Sequence, residues 1–522
     1  MRMPCDHVSG TVESEATCRE RDRPWILAAT ILASSMAFID STVVNVALPA
    51  MQASFHANVV DVQWVVEAYG LFLGALILLG GSLGDVFGRR RIFLSGVALF
   101  AAASVGCGVA PSIHVLNFAR SLQGMGAALL VPGSLAIISS SFDETSRGQA
   151  IGTWSGVSAM TTAIGPVLGG WLVQHASWRW VFFINVPLAA AVMAISVWRI
   201  PESRSSAASR VDWVGAMLAT LALSGIVFGL IESINLGWRS PLVAASLTVG
   251  IGCLGGFAIF EGRTRYPMVP LALFRNSSFS GANLLTLFLY AAVGIFFFLF
   301  PLNLIQVQGY SSTEAGAAIL PFILLMFFLS RWSGGLVARY GPRGPLMAGP
   351  LIVALGFGLF VVPSIAHSYW TTFFPAAIVL GFGMAVTVAP LTTSVMNSVG
   401  EDRVGTASGI NNAVARVAGV LAIAVFGLVM VYGFRTRLEH ALSTASLAPE
   451  ALRAVRAQET RLAGLQLPAG LDRGTTAAIK DSIAHAFVFG FRIVMGVCTG
   501  LAIAGAAVAW LMIPAQGERE VS

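Results

Sequence analysis

A few side chains capable of acid-base or ionic chemistry stand inside stretches otherwise built of hydrocarbon. Asp40 lies within Phe38-Ile39-Asp40-Ser41-Thr42-Val43-Val44-Asn45-Val46-Ala47-Leu48-Pro49, Glu67 within Gln63-Trp64-Val65-Val66-Glu67-Ala68-Tyr69, and Arg120 within Asn117-Phe118-Ala119-Arg120-Ser121-Leu122-Gln123-Gly124. A charge at the centre of a hydrocarbon layer costs about 2.5–3.5 kcal/mol on insertion scales, so such a group is protonated, paired, or turned toward water. Asp40 is thus a candidate proton-binding group, set against an acid hydrogen-bonded for packing alone. Arg120 cannot give up its proton; it needs an acid, water or backbone carbonyls, unless it snorkels from near the end of its span. Its field would govern any proton site beside it. Glu67 reads three ways: a second proton carrier, a counter-charge for a cationic solute, or a local structural acid. Trp64 precedes it by one helical turn, and a carboxylate beside an aromatic ring suits a lipophilic cation, the cation–π part being worth about 2 kcal/mol when desolvated. Asn45, Trp64, Glu67, Tyr69 and Gln123 are therefore the candidate cavity lining.

The elements that must hold these groups are membrane spans. Of the 522 residues 56% are hydrophobic and only 11% charged, with mean hydropathy +0.78. About 20 mostly apolar residues cross a bilayer as a helix, and the pattern predicts spans near 25–50, 62–83, 92–110, 115–139, 148–173, 179–199, 212–233, 242–260, 279–303, 315–338, 345–363, 370–393, 405–432 and 488–513. An all-α integral membrane protein of about 14 helices is expected. The leader before Trp25 carries Arg2, Arg19, Arg21 and Arg23 without a signal-peptide cleavage pattern. With an even number of spans, tails 1–24 and 514–522 share the cytoplasmic side. Arginines between spans agree: Arg147, Arg199, Arg204, Arg210, Arg263, Arg265, Arg275, Arg339, Arg343 and Arg403 fall on that side, against Arg179 and Arg239 in short outside loops. The net charge of +6 then reflects topology and contact with anionic membrane lipids, not nucleic acid.

Several functions are excluded. Lys480 is the only lysine and follows no glycine-rich strand-to-helix turn, so neither a P-loop nor a retinal Schiff base can be built, and ATP is not an expected partner. Five cysteines without a CxxC pair, and histidines without HExxH spacing, suggest no metal, disulfide framework or cofactor. Gly80-Gly81-Ser82-Leu83-Gly84 matches GxSxG but closes an apolar helix instead of following a strand, so an enzyme is not expected. Glu232 and Glu261, near span ends, are expected to be solvated at the interface. Arg416 is either a buried cation or a tie between helices.

Glycines and charges punctuate the chain as an internal repeat. Gly81-Ser82-Leu83-Gly84-Asp85-Val86-Phe87-Gly88-Arg89-Arg90-Arg91 returns as Ser333-Gly334-Gly335-Leu336-Val337-Ala338-Arg339-Tyr340-Gly341-Pro342-Arg343, with Ala338 where the acid stood. The predicted organisation is a six-helix bundle (25–200), two linker helices (201–278) and a second six-helix bundle (279–513) containing an outside segment (433–487), in which Pro449 opens a short helix.

The first turn resembles the loop between helices 2 and 3 of major facilitator superfamily transporters, G-x-L-x-D-x-x-G-R-[RK]-[RK]. Asp40 followed by Thr42-Val43-Val44-Asn45-Val46-Ala47-Leu48-Pro49 resembles the first-helix motif of the fourteen-helix drug:proton antiporter branch. Arg120-Ser121-Leu122-Gln123-Gly124 resembles its R-x-x-Q-G, and Gly165-Pro166-Val167-Leu168-Gly169-Gly170, after Gly156, its exporter signature. The resemblance implies the major facilitator fold, proton coupling at Asp40 with Arg120 near the pathway, and efflux of small drug-like molecules from the cytoplasm; Glu67 stands where the wider family often has an uncharged residue, and its candidacy for proton coupling rests on its own acid inside a span. Gly81, Asp85, Gly88, Arg89, Arg90, Gly156, Gly165, Pro166, Gly169 and Gly170 are then the gating elements, Asp85 and Arg89 forming a charge latch. A proton-linked transporter of one metabolite is the alternative; a membrane receptor or scaffold without flux is a further one.

Overall fold

A computed structural model describes residues 21–204, 211–365, 368–400, 403–444, 449–467 and 473–515. The expectations for residues 1–20, Arg210 and 516–522 lie outside the described residues. Every regular element among the described residues is helical, and 14 helical stretches are long and apolar enough to cross a membrane.

The first six spans are α1 (Arg23–Phe55), α2 (Val59–Phe87), α3 (Arg89–Gly108), α4 (Ile113–Ser141), α5 (Glu144–His175) and the broken pair α6 (Trp180–Phe183) and α7 (Asn185–Arg199). Their starts follow from capping chemistry. Asn58 and Asp61 exchange hydrogen bonds in a capping box at α2, and Ser112 and Asp143 cap α4 and α5, each supplying an acceptor for an otherwise unpaired N–H. Gly88 joins α2 to α3 at φ +115°, and a Cβ there would lie 2.7 Å from the Glu202 carboxylate. Only glycine fits that turn.

Two spans, α8 (Trp213–Leu236) and α9 (Pro241–Arg263), pair through close approach at Gly225 and Gly250. The second bundle comprises α10 (Ser277–Leu302), α11 (Ser312–Ala317) with α12 (Leu320–Gly334), α14 (Arg343–Phe360), α15 (Tyr369–Met396), α16 (Val404–Thr444) and α18 (Arg473–Met512), with α13 (Leu336–Tyr340) and α17 (Pro449–Arg456) as short connectors. Two boundaries differ from the hydropathy reading. The predicted span 315–338 breaks at Gly335, between α12 and α13. Within 433–487, residues 433–444 continue α16 and residues 473–487 begin α18. Helical hydrogen bonding persists beyond the apolar stretch because Ile479, Ile483 and Phe487 stay buried along one face of α18. Residues 449–467, with α17 and a 3-10 turn at Glu459–Gly464, form a cap over one end of the molecule.

The two bundles touch along two main seams, and α1 adds contacts to α10 and α11. α5 meets α11 at the cap end, where a Cβ on Gly170 would lie 2.2 Å from the Ser312 carbonyl and one on Gly316 2.1 Å from that of Pro166. Toward the opposite end, which carries the 84–91 turn, Gly148, Gly152 and Gly156 of α5 and Gly334 of α12 face open space. α2 meets α16 through Gln63 and Gly427, Gly70 and Val420, Gly74 and Arg416, and Leu78 and Gly409. The structure is closed at the cap end, with the α5 and α12 flanks apart at the turn end.

Candidate functional site

Small residues set the site by letting backbones approach. A Cβ on Gly124 would lie 2.4 Å from the Tyr69 carbonyl, one on Gly80 2.0 Å from that of Ala128, and one on Gly126 2.7 Å from the Phe100 nitrogen. α4 is thereby pressed between α2 and α3, and its polar side chains reach α1.

There Asp40 and Arg120 form a buried ion pair, 0% and 1% exposed. The Arg120 guanidinium also donates to the Val65 carbonyl at 2.9 Å and to Gln123 Oε1 at 2.7 Å. Its Cζ stands 4.3 Å from the Tyr69 ring centroid and 5.8 Å from that of Phe182. Gln123 Nε2 donates to Asp40 Oδ1 at 2.8 Å and to Ser104 Oγ at 2.7 Å. Asn185 Nδ2 adds bonds to Asp40 Oδ1 at 3.3 Å and Ser104 Oγ at 3.0 Å, and the Tyr69 hydroxyl donates to the Ala37 carbonyl at 3.1 Å. Five helices thus contribute to one network, and donors from α4 and α7 reach the carboxylate. Their donors match a negative charge, and the arginine supplies the compensating positive one that a buried anion needs.

A proton delivered to Asp40 removes the anion that Arg120 faces. The guanidinium would then keep Val65 and Gln123 and lose its ionic partner, so one proton would change the contacts of the network. That is the chemistry a coupling site requires. Ser104 and Asn185 were not among the sequence candidates. Asn185 leaves a signal, an amide inside Phe182-Phe183-Ile184-Asn185-Val186-Pro187; Ser104, in a run of small residues, leaves none.

The other candidates are placed differently. Asn45 is buried and bonds within its own helix, to the Ser41 carbonyl. Trp64 turns to α8, its indole N–H donating to Glu232 Oε1 at 2.8 Å and its ring beside Phe228. Glu67 is fully buried, and neither carboxylate oxygen has a hydrogen-bond partner. In this conformation Trp64 and Glu67 therefore do not line one open cation site: the indole is committed to Glu232 and the acid is sealed. Glu261, expected in interfacial water, is instead 3% exposed and accepts from the Val269 N–H at 3.2 Å. Arg416 is half-buried at the seam between bundles, its Cζ 5.6 Å from the Phe38 ring centroid.

The gating candidates divide into three groups. Gly165 and Gly169 pack on Thr42 and Val43 of α1, while Gly170 and Pro166 meet α11; Gly156 is open and Gly81 lies in ordinary contact with Pro132. Asp85 accepts from Arg89 at 2.8 Å within the turn itself. Arg90 donates its backbone N–H to Glu202 and its guanidinium to the Ile200 carbonyl, so the turn is docked on the end of α7 in its own bundle.

A family model described as Major Facilitator Superfamily matches residues 30–423. The chain is 36% identical over 421 residues to the multidrug resistance protein Stp of Mycobacterium tuberculosis (strain CDC 1551 / Oshkosh), covering 80% of this chain and 78% of that one. It is 33% identical to the tetracenomycin C resistance and export protein of Streptomyces glaucescens, covering 97% and 94%, and 31% identical to the puromycin resistance protein pur8 of Streptomyces alboniger, covering 98% and 96%. In fold it is similar to a bacterial homolog of the human lysosomal transporter Spinster, solved inward-facing and unoccupied, with TM-score 0.64 and 17% identity over 94% of this chain and 98% of that one. A buried acid-arginine pair held by five helices, fourteen spans in two bundles with a linker pair, and a family match over most of its length lead to one assignment: the chain is a multi-pass membrane protein that belongs to the major facilitator superfamily.

Proposed function

We propose that the protein is a proton-coupled antiporter that exports lipophilic, often cationic, drug-like molecules or antibiotics from the cytoplasm by alternating access. It would reside in the plasma membrane with both termini cytoplasmic, using neither ATP nor a bound cofactor. One observation carries the reading: the only buried ion pair in the first bundle among the described residues, Asp40 with Arg120, sits where a proton rearranges the contacts of five helices. Relatives named for multidrug, tetracenomycin C and puromycin resistance support the substrate class. Arginines 89 to 91 and Arg199 at the turn end support a cytoplasmic placement, where they would meet anionic lipid.

In the cycle, substrate enters from the turn end, where the α5 and α12 flanks are apart, and leaves from the cap end after the bundles rock. A proton taken from outside neutralises Asp40 and resets the cycle. One elementary charge crossing 100 mV yields about 2.3 kcal/mol, enough for more than a tenfold gradient. Inverted vesicles with an acidified lumen test this with ethidium as the probe. The wild type should accumulate it uphill and lose the accumulation with an uncoupler. Asp40→Asn should insert, with lower stability because Arg120 loses its anion, and should lose uphill accumulation; normal accumulation by a well-expressed Asp40→Asn protein refutes the assignment.

A further inference from the structure

Glu67 is the one acid on the described face of α2 whose surroundings the coupling network leaves unexplained. Both its oxygens are buried without a partner, and the helix wheel shows where they are. Gln63, Gly70 and Gly74, within about 60° of Glu67 at 100° per residue, all touch α16: Gln63 donates to the Ile423 carbonyl, Gly70 lies against Val420 and Gly74 against Arg416. On the other side of Glu67, Trp64 bonds to Glu232 of α8, and α8 itself packs on α16. Glu67 therefore stands where the first bundle, the linker pair and the second bundle meet, in the half of α2 nearer the cap.

The charged groups on every neighbouring element are engaged elsewhere or distant. On α1 and α4, Asp40 and Arg120 hold each other. On α8, Glu232 accepts from Trp64. In the cap, Glu459 pairs with Arg435 and Arg461 donates to the His56 carbonyl. Arg416 of α16 adjoins Gly74, seven residues or roughly 10 Å along α2 from Glu67. α3 offers the Cys107 thiol, which bonds Gln123, and its arginines 89 to 91 lie at the opposite, turn end. An unpaired carboxylate without hydrogen bonds is among the costliest groups to bury, whereas a carboxylic acid is an ordinary polar group.

We infer that Glu67 is a second proton site, one that operates the seam between the bundles: the neutral acid lets α2 and α16 close at the cap end, and its ionisation favours their separation. Deprotonation occurs when the seam opens and water reaches the carboxyl; closing requires a proton from that same outer water. The proton returns to the side it came from, so Glu67 sets the pH at which the outer gate closes without adding to the protons moved per cycle. This rests on the alternating-access reading and deepens it, separating the residue that drives transport from the one that seals.

The test reads conformation, not transport. Spin labels at Ser54→Cys and Thr436→Cys, exposed at the cap ends of the two bundles, are introduced into full-length protein with its native cysteines replaced, reconstituted in nanodiscs, in an Asp40→Asn background so that the coupling carboxyl does not titrate. The outer-open fraction should rise with pH. Glu67→Gln should lose that response and stay closed at every pH, while Glu67→Asp should retain a response with a displaced midpoint. A pH response surviving in Glu67→Gln overturns the inference, as does its absence from the Glu67 parent. Failure of Glu67→Gln to fold overturns it too, because the amide is the nearest mimic of the neutral acid. Failure of the transport reading would appear separately, as uphill ethidium accumulation by Asp40→Asn vesicles.

Discussion

The two six-helix bundles are built from the same hinge pattern but solve their interiors differently. The first holds Asp40, Arg120, Gln123, Ser104 and Asn185 in one buried network. The second is filled by phenylalanines: Phe296 stacks on Phe300 with centroids 4.9 Å apart, and Phe357, Phe360 and Phe373 close around them. The polar bonds beside that core are neutral, Asn411 donating to Asn283 and Thr286. The turns show the same division. The first couples Asp85 to Arg89 and docks on Glu202; the second has Ala338 in the acid's place and Arg339 over the Tyr340 ring. Chemistry is concentrated in one half, and the other offers a stiff apolar counter-surface. Aromatic pairs contribute about 0.5–1.5 kcal/mol beyond their area and have no charge state to change.

The sharpest way to break this contrast is to remove one member of the polar core and one of the apolar core. Arg120→Leu should destabilise the protein by about 3–5 kcal/mol, because it leaves Asp40 buried without its cation. Adding Asp40→Asn should recover much of that loss without restoring transport. Phe360→Leu, in the second bundle, should cost about 1–2 kcal/mol and leave proton-driven export intact. Thermal unfolding in detergent, paired with vesicle uptake, separates the two. Equal losses from Arg120→Leu and Phe360→Leu would erase the distinction.

The turns allow a milder comparison. Gly88 and Gly341 adopt φ of +115° and +68°, so alanine at either should cost about 1–3 kcal/mol of backbone strain. Gly88→Ala should cost more, since its methyl also displaces the Glu202 carboxylate that receives the Arg90 N–H. Melting temperatures of the two single variants test the ordering.

The smallest effect belongs to the cap. Burial pushes the Glu459 carboxyl above its ordinary range, with Arg435, 2.8 Å away, opposing that shift. The folded cap therefore holds this proton more tightly than the unfolded chain does. Its contribution to stability is complete below the unfolded value, about 4.3, and falls as pH rises through the folded one. Hydrogen exchange at Arg461 and Leu462, corrected for intrinsic rates, should report less protection at pH 8 than at pH 5. The reverse order would mean that the pairing with Arg435 outweighs burial.

How much of this was legible depends on the kind of signal each residue leaves. Charges inside hydrocarbon are rare and costly, so Asp40, Arg120 and Glu67 stand out from sequence, and the span count follows from hydropathy alone. Neighbours are harder. Trp64 and Glu67 lie about 60° apart on the helix, and nothing in their spacing tells which side faces α8 and which α16. Ser104 joins the network only because α3 and α4 touch through Gly96 and Gly126. Hydropathy marks 433–487 only as an outside segment because it measures membrane depth, whereas α16 and α18 remain helical past it. The segment's arginines, including Arg435, Arg453, Arg456 and Arg461, do not upset the charge bias, which applies to short loops.

α5 carries a consequence of its own. Gly165 and Gly169 lie on Thr42 and Val43, two and three residues after Asp40, and one turn of the same helix, at Pro166 and Gly170, bears on α11 of the opposite bundle. The α11 contact is backbone against backbone, and on α1 the two glycines bear directly on the Thr42 and Val43 side chains, so neither contact leaves room for a shift. α5 is in this sense a rigid lever with its two load points less than two turns apart. Displacement of the second bundle must be delivered to the helix that carries Asp40, by steric transmission, and no charged group is needed along the way.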